Sequence, residues 1–135
     1  MALKLSVAVR NARLDAIEAA IGLSAILKIR TGAAPANCAA ADSGTALATA
    51  ALPSDWLAAA SGGSKAKSGT WQDTSADATG TAAHFRIYES TGTTCHLQGT
   101  VTLTGGGGDM TLDNIAFVAG QQFSVTGFTL TDGNS

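Results

Sequence analysis

From Thr81 to Thr131 apolar and polar residues alternate in short runs separated by turn residues, a period of two that only extended strands carry. In TAAHFRIYE, residues Ala83, Phe85 and Ile87 fall on one face, and His84, Arg86 and Tyr88 on the other. After the turn STGT, the sequence assigns Cys95, Leu97, Gly99, Val101 and Leu103 to the inner face, with His96, Gln98, Thr100 and Thr102 outward. Cross-strand neighbours share a face, so a hairpin pairing Ile87 with Leu97 and Phe85 with Gly99 is expected. Gly105–Gly108 form a permissive turn into a short strand at Met110–Leu112. Asp113-Asn114 then signals another turn, and Ile115–Val118 a further strand. Phe123, Val125 and Gly127 alternate one way, and Phe128 and Leu130 take the opposite parity. A bulge or bend is expected at Gly127.

The first half reads differently. Leu3, Val7, Leu14, Ile17 and Ile21 are spaced by four, seven, three and four, one face of a helix from about Ser6 to Ala20. Ser6 is placed to cap its start and Gly22 to end it. Its stripe must bury against this domain's own sheet or a neighbouring subunit, the former being the expectation. Arg10, Arg13, Asp15 and Glu18 lie off that stripe or at its margin. A strand follows over Ala25–Arg30, ending in the turn Thr31-Gly32 before Pro35. Residues 33–43 are loop-like and carry Cys38 in an exposed or semi-exposed setting. TALATAAL, 45–52, reads as helix by its Ala and Leu and as strand by its Thr and its context, and the strand is the expectation. Lys65 and Lys67 sit at alternate positions of a polar segment and read as solvated guards of a sheet edge. Trp71 is a core or interface anchor. Residues 73–80 form a polar loop. Many short strands with glycine-rich turns make the chain mainly β: an antiparallel β-sandwich or jelly-roll-like barrel with one N-terminal α-helix. Residues 1–22 form the helical arm and residues 23–135 a single β-rich domain.

Composition narrows function. Ala, Gly, Thr and Ser dominate, and aromatics are only 5%. The core is therefore thin, and a homo-oligomeric interface is expected to complete it. A net charge of −2 offers no global field for nucleic acid or an anionic membrane, and neither is expected as a partner. Residues 1–30 hold Lys4, Arg10, Arg13, Lys28 and Arg30 against Asp15 and Glu18, whereas the remainder is acidic. A basic end on an acidic body suits docking on an acidic protein surface. Two cysteines, Cys38 and Cys95, match no metal spacing and read as free thiols of a protein folded in a reducing cytoplasm. The start MALKLSVAVRNAR lacks the apolar core of a signal peptide, and no run approaches a membrane span.

No catalytic motif emerges. TGGGGDM lacks the Gly-Lys-Ser/Thr ending of a P-loop. His84 and His96 lie on one face but four residues apart along the expected ladder, on the order of 13 Å. Asp109, Asp113 and Asn114 lack the ligand series of a calcium loop and suit backbone capping. No enzyme activity, metal or cofactor is expected.

The helix Arg10–Ile21, the Gly-x-x-Pro turn in Thr31–Pro35, the strand Gly80–Arg86, and the tail GGGGDMTLDN with AGQQFSVTGFTLTDGN together resemble a set of small proteins of tailed-phage and prophage genomes. The resemblance spans nearly the whole chain, and its motifs are structural. It implies a virion component, made and folded in the host cytoplasm, whose partners are the major capsid protein or other virion proteins. Within that class a capsid cement or decoration protein is the sharper expectation, and a tail, neck or fibre-associated module the alternative. A carbohydrate-binding β-sandwich, using Trp56, Trp71 or Tyr88, is a third. Contact candidates are Lys4, Arg10, Arg13, Arg86, Tyr88 and Trp71.

Overall fold

A computed structural model describes residues 3–132. The sequence predicts that the last residues, Asp132–Ser135, fray; of these, Gly133–Ser135 lie outside the described range. Helix α1 (Val7–Ile21) is followed by β1 (Ile26–Arg30), β2 (Ala46–Ala51), β3 (Ser64–Ala66), β4 (Gln72–Asp73) and β5 (Gly80–Thr81). Then come β6 (His84–Tyr88), β7 (Cys95–Leu103), β8 (Met110–Leu112), β9 (Ala116–Phe117) and β10 (Phe123–Thr131). The fold is mainly β and sandwich-like, with one N-terminal helix.

The principal sheet runs β2-β1-β6-β7-β8-β10-β3, with β4 also paired to β10, and β5 and β9 form a separate pair. The expected hairpin register holds from His84↔Thr100 to Ile87↔Leu97. It then shifts, so that Tyr88 faces Cys95 and His96 is left over as a bulge. That extra residue turns Cys95 onto the Arg86 and Tyr88 face instead of continuing the inner one. The other parity change lies where the sequence points: β10 slips between Val125 and Gly127 as it crosses β8. One pairing departs from an antiparallel arrangement. β7 and β8 run parallel, Val101↔Met110 to Leu103↔Leu112, so the sheet is mixed. A six-residue return is short for parallel neighbours. Glycine makes it feasible: a Cβ on Gly106 or Gly108 would come within 2.7 or 2.9 Å of the Thr102 side chain, whose Oγ1 accepts from the Gly108 amide at 3.0 Å.

The core is continuous. Trp56, Trp71, Phe128 and Phe85 stack in sequence with centroids 5.9, 5.4 and 5.6 Å apart, and Phe117 meets Phe123 at 5.0 Å. Every aromatic residue of the chain is buried. Leu27, Ile29, Leu47, Ala48, Ile87, Met110 and Leu112 fill the space between them. A few large rings thus compensate for the many alanines, since each buries several times the area of a methyl group.

The helix packs on its own chain, but not as a simple apolar stripe. Ser6 caps it, accepting from Val9 N at 3.2 Å, and Gly22, at φ +92°, ends it. Leu14 and Ile21 are buried, whereas Leu3 and Val7 are exposed. The seven-residue gap between Val7 and Leu14 is filled by Arg10, which is buried in the same stripe and not at its margin. The neighbouring polar residues serve strand β3 and the segment before it. Glu18 Oε2 accepts from Leu57 N at 3.2 Å, Asp15 Oδ1 from Ala60 N at 3.0 Å, and Asn11 Oδ1 from Gly63 N at 2.9 Å. Lys65, expected to be solvated, is 2% exposed, with Nζ 2.6 Å from Asp15 and 3.0 Å from Glu18. Strand β3 ends the sheet; the segment before it bonds along its outer edge, Ala58 N to Ala66 O at 2.8 Å and Ser61 N to Ser64 O at 2.9 Å, and the helix packs against it.

Candidate functional site

The densest polar cluster of the described residues lies on the second face of β6. Alternation predicts that His84, Arg86 and Tyr88 face solvent, yet all five residues of β6 are buried. The cover is the loop from Thr31 to Thr45, which joins β1 to β2 and lies across β6 and β7. Its apolar residues are all small, mostly alanine, so its anchorage is polar. His84 Nδ1 is 2.7 Å from the Gly32 carbonyl, and Gln98 Nε2 donates to Pro35 O at 2.6 Å.

Arg86 is the hub. Its Nη2 donates to the carbonyls of Asn37, Cys38 and Ala40, each at 3.1 Å. Its Nε donates to Gln98 Oε1 at 3.2 Å, and Nη1 donates to the Asp42 carboxylate in a short contact. Asp42 also accepts from Tyr88 Oη at 2.7 Å and pairs with Arg30 at 3.0 Å. Lys28 lies over the Tyr88 ring, 5.0 Å from its centroid. A buried guanidinium is tolerated only when its donors are met; here converging loop carbonyls and one carboxylate meet them.

The electrostatics follow from that geometry. Burial works to raise the Asp42 pKa, but hydrogen bonds from Tyr88 and Arg86 and the Arg30 charge outweigh it, and the carboxyl is held below its ordinary range. Burial likewise opposes the charge on Arg86, and the Asp42 hydrogen bond reverses this into a raised value. The Tyr88 hydroxyl is pushed up to about 12, first by burial and then by its bond to Asp42. None of these groups is poised to exchange a proton near neutrality, as acid–base catalysis requires. The cluster holds a loop in place.

The remaining candidates separate. Of the six contact residues, Trp71 and Tyr88 are 1% exposed, Arg86 is buried in the cluster, and Arg10 donates from Nη1 to the Asp132 carbonyl at 3.2 Å. Lys4 is exposed, and Arg13 is exposed while its Nη1 meets Asp132 Oδ2 at 3.2 Å. Sugar stacking needs an exposed ring, and Trp56, Trp71 and Tyr88 are all interior. His84 is buried, whereas His96 is exposed 3.5 Å from Glu89. Asp109 accepts from the Thr100 amide at 2.9 Å and Asp113 from the Ser124 amide at 3.0 Å, so both cap backbone. A cleft of about 380 Å³ opens where β7 and β10 diverge beside short β8, floored by Phe85, Leu97 and Phe128. Its carboxylate, Asp109, is the one already engaged by Thr100.

Sequence reasoning missed the Arg86–Asp42 pair because the covering loop has no pattern of its own. A signal existed. Asp42 is the lone acid between Glu18 and Asp55, facing a strand that carries Arg86. No protein-family model, curated protein or solved structure matches the chain.

Proposed function

We propose that this protein is a non-enzymatic structural component of a tailed-phage particle, a capsid cement or decoration protein that clamps neighbouring capsid subunits. The observation that carries the reading is the exposed start of the helix. Leu3, Val7 and Val9 stand 69, 48 and 46% exposed beside Lys4, while the far end of the same helix is packed into the core. Apolar side chains gain about 25 cal/mol per Å² when covered, so an end rooted at one side and apolar at the other suits attachment to a partner. Lys4 adds positive charge there, which favours an acidic capsid surface. The anchored loop and the engaged polar groups also suit a rigid binding body.

Immunogold labelling of particles from a host carrying the coding sequence tests this. Label on heads supports the cement reading, label on tails points to a tail or neck module, and unlabelled particles overturn both. The double variant Leu3→Asp and Val7→Asp should lose particle binding at least tenfold with its circular dichroism unchanged. Self-association through the same end is proposed as well. Light scattering that reports a monomer at micromolar concentration would exclude it.

A further inference from the structure

The loop that Arg86 anchors carries Cys38, and the bulge at His96 turns Cys95 toward the same face. The two are remote in sequence, yet both border one cavity of about 290 Å³, together with Asp42, Arg86, Thr93 and Thr94. Each is held. The Cys38 carbonyl accepts from Arg86 at 3.1 Å, and Asn37 Oδ1 accepts from the next two amides, Ala39 and Ala40, at 3.0 and 3.1 Å. Cys95 lies opposite Tyr88 in the ladder, with Sγ 3.2 Å from the Leu97 carbonyl. Both are free thiols; Cys38 is half-buried and Cys95 is 8% exposed.

We propose that Cys38 and Cys95 are a reversible redox pair, converted by a small-molecule disulfide into a bond that staples the 31–45 loop to β7. The Cys38 thiolate, the more accessible, attacks one sulfur of the oxidant and expels a first small thiolate, leaving a mixed disulfide on Cys38. Cys95 loses its proton and attacks the Cys38 sulfur, expelling the second small thiolate. The two cysteines give up two electrons, the oxidant is reduced to two small thiols, and the two cysteine protons balance them. Burial and the neighbouring Cys38 thiol push Cys95 up to about 11. The second step, which needs the Cys95 thiolate, therefore quickens as pH rises.

The test treats the folded full chain with oxidised glutathione. The expected result is loss of both free thiols, a mass lower by two hydrogens with no increase in oligomer, and one cross-linked peptide joining Cys38 to Cys95. The oxidised form should melt about 5 °C or more above the reduced form, with the gain erased by dithiothreitol. Cys95→Ser should stop at the mixed disulfide on Cys38. The proposal is overturned if both thiols persist in the folded protein while the denatured chain oxidises under the same conditions. It is equally overturned if the cross-links formed join different molecules. These outcomes do not depend on where the protein resides.

Discussion

At the scale of single residues, the polar interior carries more of the fold than the small core suggests. Replacing Arg86 with Met strands Asp42 beside Arg30 and leaves the carbonyls of Asn37, Cys38 and Ala40 without their donor. A loss of about 1–3 kcal/mol is expected, since Arg86 is buried while the Asp42 side chain is open to solvent, measured by urea denaturation. Arg86→Lys should recover little of it, because an ammonium cannot serve Gln98, Asp42 and three carbonyls at once. Trp71→Ala should cost about 3–5 kcal/mol through the cavity it leaves, since Trp71 contacts both Trp56 and Phe128. Gly44→Ala should loosen the loop end. Gly44 has φ +71°, and an added Cβ would lie 2.0 Å from the Thr31 carbonyl oxygen. Protease cleavage within 31–45 is the direct readout. The hydrophobic faces of β6 were legible in the sequence, because Phe85 and Ile87 alternate. The burial of Arg86 and Tyr88 was not: their cover is a loop of small residues with no periodicity to announce it.

Among the elements, α1 and the Thr31–Thr45 loop do similar work on opposite parts of the sheet, each satisfying backbone or charge that a strand leaves open. Removing residues 1–22 uncovers the amides of Leu57, Ala60 and Gly63 and leaves Lys65 without Asp15 and Glu18. The truncated chain is expected to aggregate or unfold, and size-exclusion chromatography with circular dichroism checks this. Deletion is thus the wrong probe for a docking role of the helix, and substitutions at Leu3 and Val7 are the right one. Helix limits, caps and hairpin register were readable because they depend on local rules: a Ser at the cap, a glycine at the end, alternation across a turn. The burial of Arg10 was misread, as a residue off the stripe or at its margin, because a charged side chain breaks the apolar pattern even though its position completes the spacing from Val7 to Leu14. The His96 bulge was not, because inserting one residue leaves both flanking segments with normal alternation.

For the whole molecule, the shifted groups define a pH window. Asp15 is held low by its Lys65 hydrogen bond, then by the Ala60 amide, and Glu89 by Thr91 and the amides of Thr93 and Thr94. With Asp42, these depressed carboxyls contribute stability above the unfolded values of 3.8 and 4.5, lost as pH falls through their lower folded values. Tyr88 and Cys95 are raised instead. Their contribution is present below the unfolded values of 10.0 and 9.0 and is lost as pH rises toward about 12 and 11. Melting temperature against pH should show a plateau between about 5 and 9 that falls at both ends, and Tyr88→Phe should flatten the alkaline limb. The mainly β class and the sandwich-like build were legible from the repeated short strands. The parallel β7–β8 pair was not, because a glycine return leaves strand direction open.

The last strand has a bearing on how the chain reaches this state. Among the described residues β3 and β4 join the sheet through β10, Leu130↔Lys65 and Ser124↔Gln72, while β3 also meets the local segment before it through Ala58 N to Ala66 O and the Ser61–Ser64 bridge. During synthesis those two segments must wait for their place in the sheet until residues beyond Phe123 emerge. β1 can pair early with β2, Ile26 against Ala51, but its other edge is filled only when β6 arrives, Ile26 against Tyr88. Such distant pairings make closure slow. A ribosome-bound chain ending before Phe123 should therefore be open to protease at β3, and the complete chain should snap shut in one late step as its final strand joins both.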